Sequence, residues 1–193
     1  MKHVVVVAHP KSRSFIGTMA TTYAAEARHR DLQVEVRDLY AMDFDPRLSA
    51  SELPGADGSL PADLLREREL LADTAVFAFF YPFWFNAPPA ILKGYMERVF
   101  GLGFAYEPVA GGTKPLLGGR KMLVVSSSGA PREWVEGTGA WEAERQIFDT
   151  HFAAVCGLEL IDHLHFGSIL PNTRSDFVEA CADRVRSAVQ KNF

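Results

Sequence analysis

The chain has 193 residues and a mass of 21.4 kDa, enough for one generous domain and too little for two ordinary enzyme domains. Hydrophobic residues at 48% and charged residues at 23% are globular proportions, which exclude a disordered or fibrous chain. The 20 Lys and Arg against 24 Asp and Glu, net −4, lack the basic surplus of a nucleic-acid binder and are too mild for an acidic docking protein.

In chain order, residues 3–8 (HVVVVA) are a nearly continuous β-branched run, which predicts a strand covered on both faces. The apolar stretch 4–8 is half the length a signal peptide requires. Ser12 and Ser14 supply N-cap chemistry, and 15–28 reads as an Ala-rich helix. Val34 and Val36 alternate with charges before Asp38, predicting a second strand. Residues 39–61 read as loop, with Pro46, Pro54, Gly55, Gly58 and Pro61. Leu64, Leu65, Glu67 and Leu71 make a helical stripe that ends by Asp73. Residues 75–80 form a third buried strand. The longer apolar stretch 75–85 contains Pro82 and is too short to cross a bilayer, so no membrane insertion is expected. Pro88 and Pro89 suit the first turn of a helix continued by 91–100. Residues 101–119 are glycine-rich and read as irregular. Residues 122–125 predict a fourth strand, 141–155 a helix, 158–166 a fifth strand and 176–191 a closing helix. On that last helix Phe177, Ala180, Cys181, Val185 and Val189 share a face. Cys156 and Cys181 have neither CxxC spacing nor company and read as buried small hydrophobes, consistent with a reducing, cytoplasmic compartment.

Five strands alternating with helices predict a single α/β domain over 1–193, a doubly wound parallel sheet. Such sheets bind ligands beyond the carboxyl ends of their strands. That rule selects three loops. In the first, His9 to Phe15, a helix N-terminus with Ser12, Ser14, Lys11 and Arg13 favours a phosphate, although neither GxGxxG nor a P-loop sequence is present. A capped helix with a solvated basic turn would use the same residues. In the second, Phe83, Trp84 and Phe85 cannot all point inward, and the surplus suits a flat heteroaromatic ligand or a second subunit. In the third, Ser126, Ser127, Ser128 and Gly129 offer hydroxyls and a flexible backbone to a polar ring edge.

The stretch Pro82-Phe83-Trp84-Phe85-Asn86-Ala87-Pro88-Pro89-Ala90-Ile91-Leu92-Lys93-Gly94-Tyr95, running into Glu97-Arg98-Val99-Phe100, resembles the signature of the flavodoxin-like NAD(P)H:quinone oxidoreductases, a family that includes DT-diaphorase and bacterial quinone reductases. Ala8-His9-Pro10 with Ser14-Phe15, residues 38–46 and Phe104-Ala105-Tyr106 extend the resemblance over most of the chain. It implies a flavodoxin-like sheet of order 2-1-3-4-5 and a bound flavin, FAD first and FMN as the alternative. NAD(P)H is the implied co-substrate, with ping-pong hydride transfer to flavin N5 and two-electron reduction of a quinone or similar small aromatic acceptor. It also implies a homodimer whose partner helps to close the pocket through the segment 101–112. By the same resemblance His9, Ser14 and Phe15 match the phosphate and ribityl loop. Pro82, Phe83, Trp84 and Phe85 match the isoalloxazine wall, and Ser126, Ser127, Ser128 and Gly129 match the third loop.

Two departures stand out. Ile16 occupies a position where the family often has Asn, and Trp134 stands where DT-diaphorase has a Tyr, with no His between Gly129 and His151. A Tyr–His proton relay is therefore not expected, and the catalytic assignment falls on Trp134, Ser127 and Ser128. Backbone N–H groups of Ser127 to Gly129 are expected to stabilise charge on the ring, and Trp134 to serve as a stacking wall unless it packs away from the flavin. A flavodoxin-type electron carrier, or an ancillary oxidoreductase subunit of a potassium-efflux system, would share the fold. No metal site is expected: His163 and His165 alternate on one strand face but lack a third ligand. His151 reads as a packing residue, residues 111–114 as loop, and Glu133, Glu136, Glu142 and Glu144 as a solvated face.

Overall fold

Four consecutive valines leave β1 (Lys2–Val7) with two apolar faces, so it has to lie inside a sheet that is covered above and below. In the computed structural model, which describes residues 1–53 and 60–193, it does. The expected loop residues Pro54, Gly55 and Gly58 lie outside those described. β1 leads into α1 (Phe15–His29), β2 (Gln33–Asp38), a 3-10 turn (Ala50–Glu52), α2 (Ala62–Leu71), β3 (Val76–Pro82) and α3 (Ala90–Val99). A hairpin of β4 (Tyr106–Val109) and β5 (Gly112–Pro115) precedes β6 (Lys121–Ser127) and α4 (Arg132–Gly137). Next comes one continuous helical stretch: α5 (Ala140–Glu144), a π-helical segment (Arg145–Phe152) and α6 (Ala153–Cys156). β7 (Glu159–Phe166) and α7 (Ser175–Asn192) complete the chain.

The main sheet runs β2-β1-β3-β6-β7 with every pair parallel, which is the expected flavodoxin-like order of its five strands. Pleating sends alternate side chains to opposite faces. Val4, Val6, Phe77, Phe79, Met122 and Val124 meet Leu92, Tyr95 and Val99 of α3 and Phe148. Val5, Val7, Ala78, Phe80, Leu123 and Val125 meet Met19 and Tyr23 of α1 and Val185 and Val189 of α7. Each fully buried Phe or Leu contributes roughly 2–3 kcal/mol, so these two layers dominate stability. On α7 the buried face is Cys181, Ala182, Val185, Ala188 and Val189, while Phe177 and Ala180 lie outside it. Cys156 and Cys181 are both free and buried, as expected.

Three expectations are corrected. Residues 106–115 are a two-stranded antiparallel hairpin rather than irregular chain, and the stretch 111–114 belongs to it. Both strands are four residues long and β5 is wholly exposed, so no hydrophobic alternation marks them. The helix over 141–155 is wound as a π-helix through its middle, and the wider turn returns Asp149, five residues after Glu144, to the buried face. His151 is consequently exposed rather than packed. Gly94 allows the loop at Pro46 to cross α3, since a Cβ there would sit 2.2 Å from the Pro46 carbonyl oxygen. Beside it Arg98, 5% exposed, reaches Glu52 at 2.7 Å and the Asp45 carbonyl at 2.7 Å, clamping the same loop from below. Among the described residues, no helix is long and apolar enough to cross a membrane.

Candidate functional site

A cavity of about 670 Å³ opens beyond the carboxyl ends of β1, β3 and β6, where the three loops converge. That volume is in the usual range for a small-molecule or cofactor site. Of the residues expected there, His9, Ser14, Phe15, Pro82, Phe83, Trp84, Ser127, Ser128 and Gly129 line it. Ser126 lies beneath the wall, fully buried, and neither Phe85 nor Trp134 is part of the lining. Ile169, Leu170, Pro171 and Thr173, from the chain after β7, close the remaining side. Nothing in their local sequence marks them, because they reach the cavity only through the position of β7 at the sheet edge.

At one end, Ser14 caps α1 by accepting a hydrogen bond from the Gly17 N–H at 3.0 Å. The N–H groups of Phe15 and Ile16 have no acceptor among the described residues, and the first turn of α1 carries no acidic side chain. With Lys11 and Arg13 beside them, these donors fit a phosphate. His9 accepts the Lys11 N–H at Nδ1 (3.0 Å), which leaves its other nitrogen as a donor, and burial holds its pKa below the ordinary value.

At the other end the aromatic loop divides its rings. Phe83 is buried, stacked on Tyr81 at 6.0 Å and tilted against His165 at 4.7 Å, and its N–H donates to the Ser127 carbonyl at 2.6 Å. Trp84 is half exposed beside His9, and Phe85 is 106% exposed. Residues 84–87 form a tight turn closed by paired backbone bonds of 3.1 and 3.2 Å, with Phe85 and Asn86 at φ +51° and +56°. Positive φ at both central positions is type I′ geometry, unstrained for Asn and costly for Phe. Phe104 and Tyr106 are partly buried against the core, so the unpartnered surplus is Trp84 and Phe85.

The third loop carries more chemistry than its sequence suggests. The Ser128 N–H donates to the Phe166 carbonyl, so of the backbone donors expected at Ser127 to Gly129 that one is already committed. Its hydroxyl donates to the Ala130 carbonyl at 2.8 Å and lies 3.0 Å from His165 Nε2. His165 Nδ1 is 2.9 Å from Ser126 Oγ, which is 2.7 Å from His163 Nε2. His163 Nδ1 faces both oxygens of Asp149, at 3.0 and 2.9 Å. The two imidazoles thus face the same side, as their alternation predicts, and close on Ser126 between them. Burial lowers the His165 pKa to about 4, with the neighbouring His163 adding to the effect. Glu144, expected on a solvated face, is buried and accepts a hydrogen bond from the Tyr81 hydroxyl at 2.7 Å. Burial raises its pKa to about 7. Trp134 is 54% exposed on α4 and so is not packed away in the core.

A family model for the flavodoxin-like fold matches residues 1–189. The chain belongs to the flavodoxin-like fold family. Within it, the chain is 32% identical over 171 residues to an uncharacterized NAD(P)H oxidoreductase of Haemophilus influenzae, covering 88% of this chain and 85% of that protein. It is 30% identical over 156 residues to a ribosyldihydronicotinamide dehydrogenase [quinone] of Pongo abelii, covering 72% and 68% respectively. The solved structure of an NAD(P)H:quinone oxidoreductase from Methanothermobacter marburgensis superposes with a TM-score of 0.82 at 28% identity, covering 99% of this chain and 95% of that one. The flavodoxin-like cavity of this chain thus has oxidoreductases among its relatives, and its donor set fits a flavin nucleotide: a phosphate cradle at α1, an aromatic wall at Phe83 and Trp84, and polar atoms at Ser127 to Gly129.

Proposed function

We propose that this chain is a flavin-dependent NAD(P)H:quinone oxidoreductase, with FAD as the first choice of cofactor and FMN as the alternative. The observation that carries the reading is the pairing, in one cavity, of a helix-terminal anion cradle with an aromatic wall one strand away. A bound flavin would accept hydride from NAD(P)H and pass two electrons to a quinone or another small aromatic acceptor in ping-pong fashion. Phe15 and Ile16 N–H groups, with Ser14, would hold the phosphate. Phe83, wedged between Tyr81 and Trp141, would keep the ring plane in register, while Trp84 covers its edge. The Gly129 N–H, which has no acceptor among the described residues, is the backbone donor best placed to meet charge on the ring.

Exposed Trp84 and Phe85 in the loop that borders the cavity also support a homodimer, with each protomer covering the other's aromatic loop. Mass spectrometry of the heat-released cofactor is expected to find FAD. Purified protein with no affinity for either flavin would overturn the reading. Steady-state oxidation of NADH or NADPH by a soluble quinone, with no partner reductase present, is expected to proceed. Turnover only with a protein partner would instead favour the electron carrier.

A further inference from the structure

Asp149, His163, Ser126, His165 and Ser128 form an unbroken line of hydrogen-bond contacts, none longer than 3.0 Å, from the π-helical segment to the cavity wall. Such a line has a direction, because each hydroxyl owns one proton. The Ala130 carbonyl can only accept, so the Ser128 proton points to it and Ser128 Oγ accepts from His165 Nε2–H. His165 Nδ1 is then bare and takes the Ser126 proton, and Ser126 Oγ in turn accepts from His163 Nε2–H. His163 Nδ1 still faces a carboxylate 2.9 Å away, and a proton must lie between them. In this orientation the Asp149–His163 pair holds one proton more than a carboxylate with a neutral imidazole. Trp141 packs beside His163, with ring centroids 4.7 Å apart and planes tilted by 56°, and the Arg132 guanidinium lies over the Trp141 ring.

We propose that Asp149 and His163 store a proton and that Ser126 and His165 conduct it to the Ser128 hydroxyl, which releases it into the cavity. The step moves each proton one place along. His163 Nε2–H passes to Ser126 Oγ, the Ser126 proton to His165 Nδ1 and His165 Nε2–H to Ser128 Oγ, while the former Ser128 proton turns from the Ala130 carbonyl to an oxygen of the reduced acceptor in the cavity. His163 ends neutral with Nδ1–H donated to Asp149, and no heavy atom changes place. The proposal rests on the quinone-reductase reading, in which NAD(P)H, a quinone and one proton become NAD(P)⁺ and the hydroquinone. Hydride supplies both electrons and one hydrogen, and the line supplies the remaining proton.

The surroundings suit storage at one end and conduction in the middle. Arg145 Nε lies 3.6 Å from Asp149 Oδ2, Tyr81 and Glu144 adjoin from β3 and α5, and Arg132 and Glu136 face His165 from α4. Burial keeps His165 neutral, so it relays rather than retains charge.

Two measurements test the proposal. Nitrogen-15 imidazole spectra of the flavin-free protein at neutral pH are expected to show His163 doubly protonated and His165 neutral with its proton on Nε2. Asp149→Asn should return His163 to the neutral form. A neutral His163 in the folded wild type overturns the storage step, whether or not the protein binds flavin. In the flavin-loaded protein, Ser126→Ala is expected to slow acceptor reduction on the order of a hundredfold. It should also remove the pH dependence of that half-reaction while flavin occupancy is kept, and Ser126→Thr should restore both. Ser128→Ala, at the cavity wall, removes the outlet without touching the core and serves if Ser126→Ala does not fold. Wild-type rates and an unchanged pH profile in these variants overturn the conducting line. A wild type that turns over no quinone sinks the functional reading and the delivery step with it, leaving storage to the spectrum alone.

Discussion

Phe85 places its whole side chain in solvent from a left-handed backbone position, two costs that its own chain does not repay. Phe85→Gly removes the positive-φ penalty and is expected to stabilise the isolated chain by about 1 kcal/mol in urea titrations. If the ring is covered in a dimer, the same change should weaken self-association, so stability and assembly move in opposite directions. Trp134 stands at a second exposed position, on α4 after the serine loop. Although Trp134 lies outside the cavity lining, we propose it as an apolar wall for the acceptor: Trp134→Phe should then keep most flavin affinity and most of the rate, whereas Trp134→Ala should raise the acceptor's KM severalfold at unchanged flavin occupancy. Abolition of hydride transfer in Trp134→Phe, with restoration by Trp134→Tyr, would mark it as a polar donor instead.

Helix α3 bears on the site without touching it, because the aromatic turn runs through only Pro88 and Pro89 into its first residue, Ala90. Its angle to the sheet is held by the loop that crosses Gly94, where a Cβ would meet the carbonyl and ring of Pro46 at 2.2–2.6 Å. Neither backbone can yield cheaply, so Gly94→Ala is expected to destabilise by about 2–4 kcal/mol, despite the better helix propensity of Ala. Thermal melts would register it, and a neutral result would mean that the Pro46 loop is free to move. The π-helical segment acts in a comparable way on the far side. A regular α-helix from Glu144 onward would carry Asp149 off the buried face and part it from His163.

Buried titratable groups give the stability of the whole protein a pH dependence with a calculable sense. Burial lowers the pKa of His3 and His165 from the ordinary 6.5 to about 4. Between those values the unfolded chain binds more protons than the native one, so stability falls as pH drops, by roughly 2–3 kcal/mol per pH unit for the two together. Glu144 works the other way, its pKa raised from 4.5 to about 7 by burial. In that window the native state binds the extra proton, so stability falls as pH rises, by about 1 kcal/mol per unit. The histidine gain outweighs the Glu144 loss until the two cancel, so stability rises with pH and levels off near pH 7. Glu144→Gln, which can still accept from Tyr81, is expected to steepen the rise in stability between pH 5 and 6.5 in melts recorded across pH. An unchanged slope in Glu144→Gln would assign the opposing contribution to another group. Light scattering on the flavin-loaded protein is expected to give twice the 21.4 kDa chain mass, and a value equal to the chain mass would rule out the dimer.

The five strands of the main sheet and the three loops at its carboxyl end were legible in the sequence, because valine and phenylalanine runs of strand length are local signals and doubly wound sheets place their sites by rule, whereas the strand order came from the family resemblance. Phe83, Trp84 and Phe85 announced that one ring too many faces outward, although only the tight turn at Phe85 and Asn86 decided which. The proton-bearing line was out of reach. Ser126, His163 and His165 become neighbours when β6 pairs with β7, and Asp149 joins them only through a π-helical turn that no residue spacing encodes. Glu144 likewise looked solvated among acidic neighbours, because only the packed fold sets the end of α5 against Tyr81. Local apolar patterning determines which segments are strands and which faces they bury. The pairing of polar side chains from distant segments depends on register and helix phase, which only the packed sheet sets.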